Sequence, residues 1–224
     1  VDFGEPRREM RPALAGLSRY IGTVDTAEHR TFQFIPEDIM CDDGVVIVCS
    51  DDDYILGILS SSFHVAWANG VGGRMGVGNQ PRYFKSKTFD PFPFPDSAPE
   101  QRQAIAEFAA ELEATRKAAL AEVPGLTMTE LYNLRERLRS GVEMPPADQD
   151  CATAARAGIV NRLHEQLDAA VAAAYGWRAD LSPSEIVARL VALNAERAAE
   201  ETTGNIRWLR PDYQVPRFRP REVG

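Results

Sequence analysis

The chain has 224 residues, 33 acids against 25 Lys and Arg for a net charge of −8, and a 44% hydrophobic fraction, the make-up of a water-soluble globular protein. That balance excludes a surface uniformly suited to coating nucleic acid, while leaving room for a local basic face, because association follows local potential. Cys41, Cys49 and Cys151 form no CxxC pair and no even set, so neither a disulfide framework nor a zinc site is signalled, as in a reducing cytoplasm; no apolar run reaches the roughly 18 residues that span a membrane.

The opening "VDFGEPRREM" has no initiator Met and no signal-peptide pattern, and the chain reads as a piece of something larger. Three β-type runs follow, "RYIGT" (19–23), "TFQFI" (31–35) and "GVVIVCS" (44–50), each rich in aromatic or β-branched residues and bounded by turn formers such as Asp42-Asp43-Gly44. Asp51 to Asp53 then supply the cap and first-turn acids of one helix, with Ile55, Leu56, Leu59, Phe63 and Trp67 at helical spacing and glycines at its end. After Pro95 the pattern is helical. Ser97-x-x-Glu100 and Thr127-x-x-Glu130 are capping boxes, the second helix being stopped by Gly141. "MPPADQD" (144–150) reads as a loop, and a long Ala-rich helix carries Ile159, Leu163, Leu167 and Val171 to Gly176. Ser182-Pro183-Ser184-Glu185 opens a helix with Ile186, Leu190 and Leu193 on its apolar stripe. "RWLRPDYQVPRFRPREVG" reads as a Pro/Arg-rich extended tail. The fold class is therefore α+β: a small mixed α/β domain over 1–95, an all-α helical domain over 96–214, and an extended tail over 215–224.

Motifs for catalysis do not assemble. Gly70, Gly72, Gly73, Gly76 and Gly78 fit neither G-x-G-x-x-G nor a Walker A loop, and they follow a helix instead of opening one. "DPFPF" (90–94) resembles the D/N-P-P-F/Y/W element of DNA amino-methyltransferases but lacks its adjacent prolines. It reads instead as an extended exit segment in which Phe89, Phe92 and Phe94 pack. His64 reads as a packed core histidine, His164-Glu165 lacks the second His of a metalloprotease helix, and the acids 51–53 are accounted for by a helix start. No catalytic residue, cofactor site or metal site is assigned.

One signal remains. From Tyr54 through Phe89 there is no Asp or Glu, while Arg74, Arg82, Lys85 and Lys87 stand there among Asn79, Gln80 and Tyr83. Arg can bind guanine, Asn or Gln can bind adenine, and Lys can neutralise phosphates, so the stretch is a candidate DNA-reading loop. A solvated loop that happens to lack acids fits the same charge pattern. An unrecognised enzyme site, and a helical protein-interaction module without DNA reading, are the rival classes.

The segments "RYIGTVDTAEHRTFQFIP", "GILSSSFHVAWANGVGGRMGVGNQPRYFKSKTFDPFPFPD", "PGLTMTELYNLRERLRSG", "LDAAVAAAYGW" and "LVALNAERAAEE" resemble, in this order, the C-terminal half of MmeI-like DNA methyltransferases, the type IIL restriction-modification enzymes and their stand-alone relatives. The resemblance spans roughly residues 13–214. Such polypeptides can carry a nuclease, a helical spacer, an S-adenosylmethionine-dependent adenine-N6 methyltransferase domain, a target recognition domain and a C-terminal helical domain. The resemblance implies that this chain corresponds to the last two, non-catalytic alone, with S-adenosylmethionine held by an upstream methyltransferase domain of the same polypeptide. It further implies double-stranded DNA as partner, no membrane, and a bacterial cytoplasm. The family's helix ending in "SSxxHxxW" and its "GR" turn lead into the base-reading segment. On that basis Arg74, Gly76, Gly78, Asn79, Gln80, Arg82, Tyr83, Lys85 and Lys87 are the expected DNA-binding residues, within a 72–88 loop.

Overall fold

Strand β1 (Arg19–Val24) takes the centre of an antiparallel sheet ordered β2-β1-β3, between β2 (Gln33–Pro36) and β3 (Val45–Val48). The computed structural model describes residues 10–75, 80–141 and 143–218. Neighbours along a strand point to opposite faces, yet Tyr20 and Ile21 are both fully buried. The central strand is therefore covered twice. Tyr20 packs with Leu14 and Leu17 at and just beyond a short helix α1 (Met10–Leu14), and Ile21 enters the main core.

The apolar run after Asp51 forms two helices where the sequence suggests one: α2 (Asp53–Ser60) and α3 (Ser62–Val71). Asp52 caps α2, accepting from Tyr54 N at 2.8 Å. Ser61 breaks the run. Its backbone is extended (ψ 156°), its hydroxyl donates to Ile58 O at 2.7 Å, and its oxygen also accepts from His64 N to cap α3. Apolar periodicity continues through the break, so only the Ser60-Ser61-Ser62 triplet hints at it. After α3 come β4 (Gly73–Met75) and β5 (Gln80–Arg82), a separate antiparallel pair, and then a π-helical turn over Lys85–Phe89.

The helices α4 (Pro99–Glu122), α5 (Met128–Ser140), α6 (Pro146–Ala154), α7 (Ala157–Tyr175), α8 (Pro183–Thr202) and α9 (Pro211–Phe218) make up the rest. Thr127 and Ser182 form the expected capping boxes with Glu130 and Glu185, and Gly141 and Gly176 end α5 and α7 in the left-handed region. The first box is displaced by one residue. Ala98 is the cap, its N–H donating to Gln101 Oε1 at 2.8 Å, while the Ser97 hydroxyl is engaged by the Tyr54 hydroxyl at 2.8 Å.

Two expected irregular stretches are helical. In "MPPADQD", Pro146 occupies the first position of α6, where a missing N–H costs nothing. In the tail, Pro211 does the same for α9, and Gln214 Oε1 accepts from Arg210 N at 2.6 Å. The extended-tail expectation is corrected up to Phe218; residues 219–224 lie outside the described residues. "DPFPF" is corrected too, for it joins no ladder among the described residues. Its carbonyls go to side chains of the helices: Pro91 O accepts from Asn194 Nδ2 at 2.5 Å, Pro93 O from Tyr175 Oη at 2.9 Å, and Pro95 O from Tyr54 Oη at 3.3 Å. Phe89, Phe92 and Phe94 pack edge to face as expected.

The change of character near residue 95 is a change of secondary structure within a continuous core. Ile21, Phe32, Leu56 and Leu59 share one buried cluster with Ile105, Leu112, Leu163 and Leu190. No helix among the described residues is long and apolar enough to cross a membrane.

Candidate nucleic-acid interface

The glycines that close α3 let the chain reverse. Gly72 lies so near the helix it leaves that a Cβ would sit 2.3 Å from Ala68 O and 3.0 Å from Arg82 O; at Gly73 one would sit 2.6 Å from the Phe84 ring. The chain thus enters a hairpin whose register pairs Gly73 with Arg82, Arg74 with Pro81 and Met75 with Gln80. The sequence alone suggests only a loop here, since each arm is three residues long and β5 contains a proline.

The base of the hairpin is bolted to the sheet. Tyr83 N donates to Asp25 O at 2.7 Å, and Arg82 pairs with the Asp25 carboxylate at 3.2 Å. Arg30 completes the joint. Its guanidinium donates to Thr23 Oγ1 at 3.1 Å, Val24 O, Asp25 O at 3.2 Å and Pro81 O at 3.1 Å, tying the end of β1 to β5. Burial lowers the Arg30 pKa, against which Tyr83 and Asp25 act. Sequence reasoning missed this residue because it lies far from the hairpin in the chain. Its only signal was an arginine beside the apolar "TFQFI" run.

Tyr83 is corrected as a DNA contact. It is 2% exposed, and its hydroxyl is hydrogen-bonded to His64 Nε2 at 2.9 Å beneath the hairpin. Burial, with Arg30 adding to it, pushes the His64 pKa down to about 3, so the imidazole is neutral and structural, as its place on an apolar helix suggested. Arg82 is half-buried and engaged with Asp25, its guanidinium also lying 5.0 Å from the Phe84 ring centre. Gln80 is exposed on β5. Lys85 and Lys87 project from the π-helical turn. Lys85 is 71% exposed with Asp90 at 3.8 Å, and Lys87 lies 5.5 Å from the Phe84 ring centre. Arg74 stands on β4; Gly76, Gly78 and Asn79 lie outside the described residues. The structure therefore brings Gln80, Arg82, Lys85 and Lys87 onto one hairpin-and-turn unit and takes Tyr83 out of it.

The helices hold this unit at both ends. Asp168 on α7 accepts from Ser62 N at 2.7 Å at the start of α3. Gly70, near the end of α3, leaves room for Val187 of α8, which a Cβ would meet at 3.2 Å. Asn194 and Tyr175 grip the segment that follows the turn.

A glycine-hinged hairpin on a small antiparallel sheet, backed by helices, defines a recognition module in the class of target recognition domains. Residues 22–96 match the family described as "MmeI, target recognition domain", and this segment is an MmeI-like target recognition domain. The fold is similar to that of the type IIL restriction-modification enzyme MmeI, solved in complex with DNA, with a TM-score of 0.64 and 22% identity over 81% of this chain. The chain spans 22% of that enzyme's length. Among curated proteins none matches.

Proposed function

We propose that this chain is the DNA-reading part of a restriction-modification enzyme, presenting the β4–β5 hairpin within the 72–88 segment to base edges and the following turn to phosphates. The observation that carries the reading is a coincidence in position. The family match over 22–96 falls on the segment that mounts a rigidly based hairpin beside the exposed Lys85 and Lys87. A two-stranded β-ribbon fits the major groove, where a Gln side chain can pair with adenine. Duplex DNA as ligand is supported by the description of the similar enzyme, an MmeI–DNA complex.

In this reading the parent polypeptide methylates adenine N6 in a bacterial cytoplasm, and S-adenosylmethionine is bound by its methyltransferase domain. The residues of this chain do not fit that donor. Among the described residues both sheets are antiparallel, and the glycine-rich stretch follows α3 where a donor-binding turn would open a helix.

Binding of duplex DNA at low and moderate salt tests the proposal. Affinity should fall with a log–log slope of roughly −0.9 for each phosphate neutralised, and Lys87→Ala should make that slope shallower by about one. Binding that is absent, or indifferent to salt, is the result expected of a helical protein-interaction module and contradicts the reading.

A further inference from the structure

The Arg-rich end of the chain is the strongest feature that the hairpin reading leaves unused. Residues 207–221 hold Arg207, Arg210, Arg217, Arg219 and Arg221 against the single acid Asp212, in a chain whose net charge is −8. Arg207 is neutralised by Asp96 and Glu200. Arg210 has a different task. Its guanidinium donates to Ala13 O and Cys49 O, both at 2.7 Å, which tacks the start of α9 onto the end of β3. Cys49 also feels the charge of Lys85, so α9 begins beside the basic turn that follows the hairpin; burial raises the thiol's pKa while Arg210 and Lys85 pull it down.

The two regions share a construction. Phe84 is flanked by Arg82 at 5.0 Å and Lys87 at 5.5 Å, and Tyr213 by Arg210 at 4.9 Å and Arg217 at 4.0 Å. A cation laid on an aromatic ring keeps its charge while losing rotamer freedom, so less entropy remains to be lost when it meets an anion. Arg217 is exposed, donates to Tyr213 O at 3.0 Å, and has no carboxylate partner among the described residues. α9 buries none of its residues, leaving its cation open to a ligand.

We propose that α9 is a second phosphate-binding element, in which Arg217, held on Tyr213, neutralises a backbone phosphate of the same duplex that the hairpin engages. This rests on the DNA-reading proposal above and extends the DNA-facing surface from the hairpin, through Lys85, to the end of the described chain.

Binding of a random-sequence duplex across a range of salt concentrations tests it, using the unsubstituted chain, Lys87→Ala, Arg217→Gln and the double variant. Circular dichroism should show the same helix content in all four, since Arg217 is exposed at the end of its helix. Each single substitution should make the salt slope shallower by about one and the double substitution by about two, with Arg217→Lys restoring the original slope. If Lys87→Ala changes the slope and Arg217→Gln does not, α9 does not meet the duplex and the hairpin reading stands. If no variant changes it, or the chain binds no duplex, both proposals fall.

Discussion

The Tyr83 hydroxyl and His64 Nε2 meet at 2.9 Å with both side chains out of water, and the hairpin rests on this pair. Because burial holds the His64 pKa down at about 3, against about 6.5 for a free histidine, the folded state resists a proton that the unfolded chain accepts. The stability that follows is fully present above about pH 6.5 and is lost as pH falls toward the folded value. His164 acts in the same direction, lowered by burial and then by Arg135, Arg116 and Arg139. Asp168 opposes them, because burial raises its pKa and protonation relieves that cost. Urea unfolding at a series of pH values should show stability declining below about pH 6.5 by up to about 1.4 kcal/mol per pH unit for each histidine, and His64→Gln should flatten the profile. A profile that is flat down to roughly pH 4 would contradict this. The structural role of His64 was legible in the sequence from its apolar helix. The burial of Tyr83 was not, because charge pattern groups it with its basic neighbours, whereas the ladder turns Arg82 and Tyr83 to opposite faces.

At the scale of elements, what the sequence disclosed depended on how local each device was. Capping boxes are closed within four residues, so Thr127–Glu130 and Ser182–Glu185 were visible without any tertiary knowledge. The starts of α6 and α9 were obscured because Pro146 and Pro211 look like breakers until their first-turn positions are known. The hairpin was least visible of all. Its arms are held by Asp25, Arg30 and Phe84, and nothing within 72–83 records those partners. Gly72 is where the hairpin depends on a missing side chain: a Cβ would meet two backbone oxygens, neither able to swing aside as a flexible side chain could. Gly72→Ala should therefore destabilise the protein by about 1–3 kcal/mol and weaken duplex binding as the hairpin shifts. Unchanged values in both denaturation and binding would show that the turn is not under this constraint.

Across the whole molecule, the two halves are joined by polar atoms as well as by the core. Arg116 on α4 is buried, donating to Glu113 Oε2 at 2.6 Å, Phe32 O at 2.8 Å and Tyr132 Oη at 3.1 Å. Glu113 Oε1 in turn accepts from Phe34 N at 3.0 Å, and the Tyr132 hydroxyl is hydrogen-bonded to His164 Nε2 at 2.7 Å. One network thus links the backbone around β2 to α4, α5 and α7, the last of which also caps α3 through Asp168. Arg116→Ala should cost about 3–5 kcal/mol in urea denaturation, because it leaves Glu113 buried without its main counter-charge; a loss below about 1 kcal/mol would mean that Lys117, also paired with Glu113, suffices. Such bracing matters if the hairpin is to meet base edges at a fixed angle. The most direct measurement is therefore selection from a random duplex pool by the chain and by its Arg74→Ala and Gln80→Ala variants. The account predicts that the unsubstituted chain enriches one sequence and that each variant relaxes the preference at one base pair, a cost of about 1–3 kcal/mol for each base edge no longer read. Enrichment of the same sequence, with the same stringency, by all three proteins would contradict it.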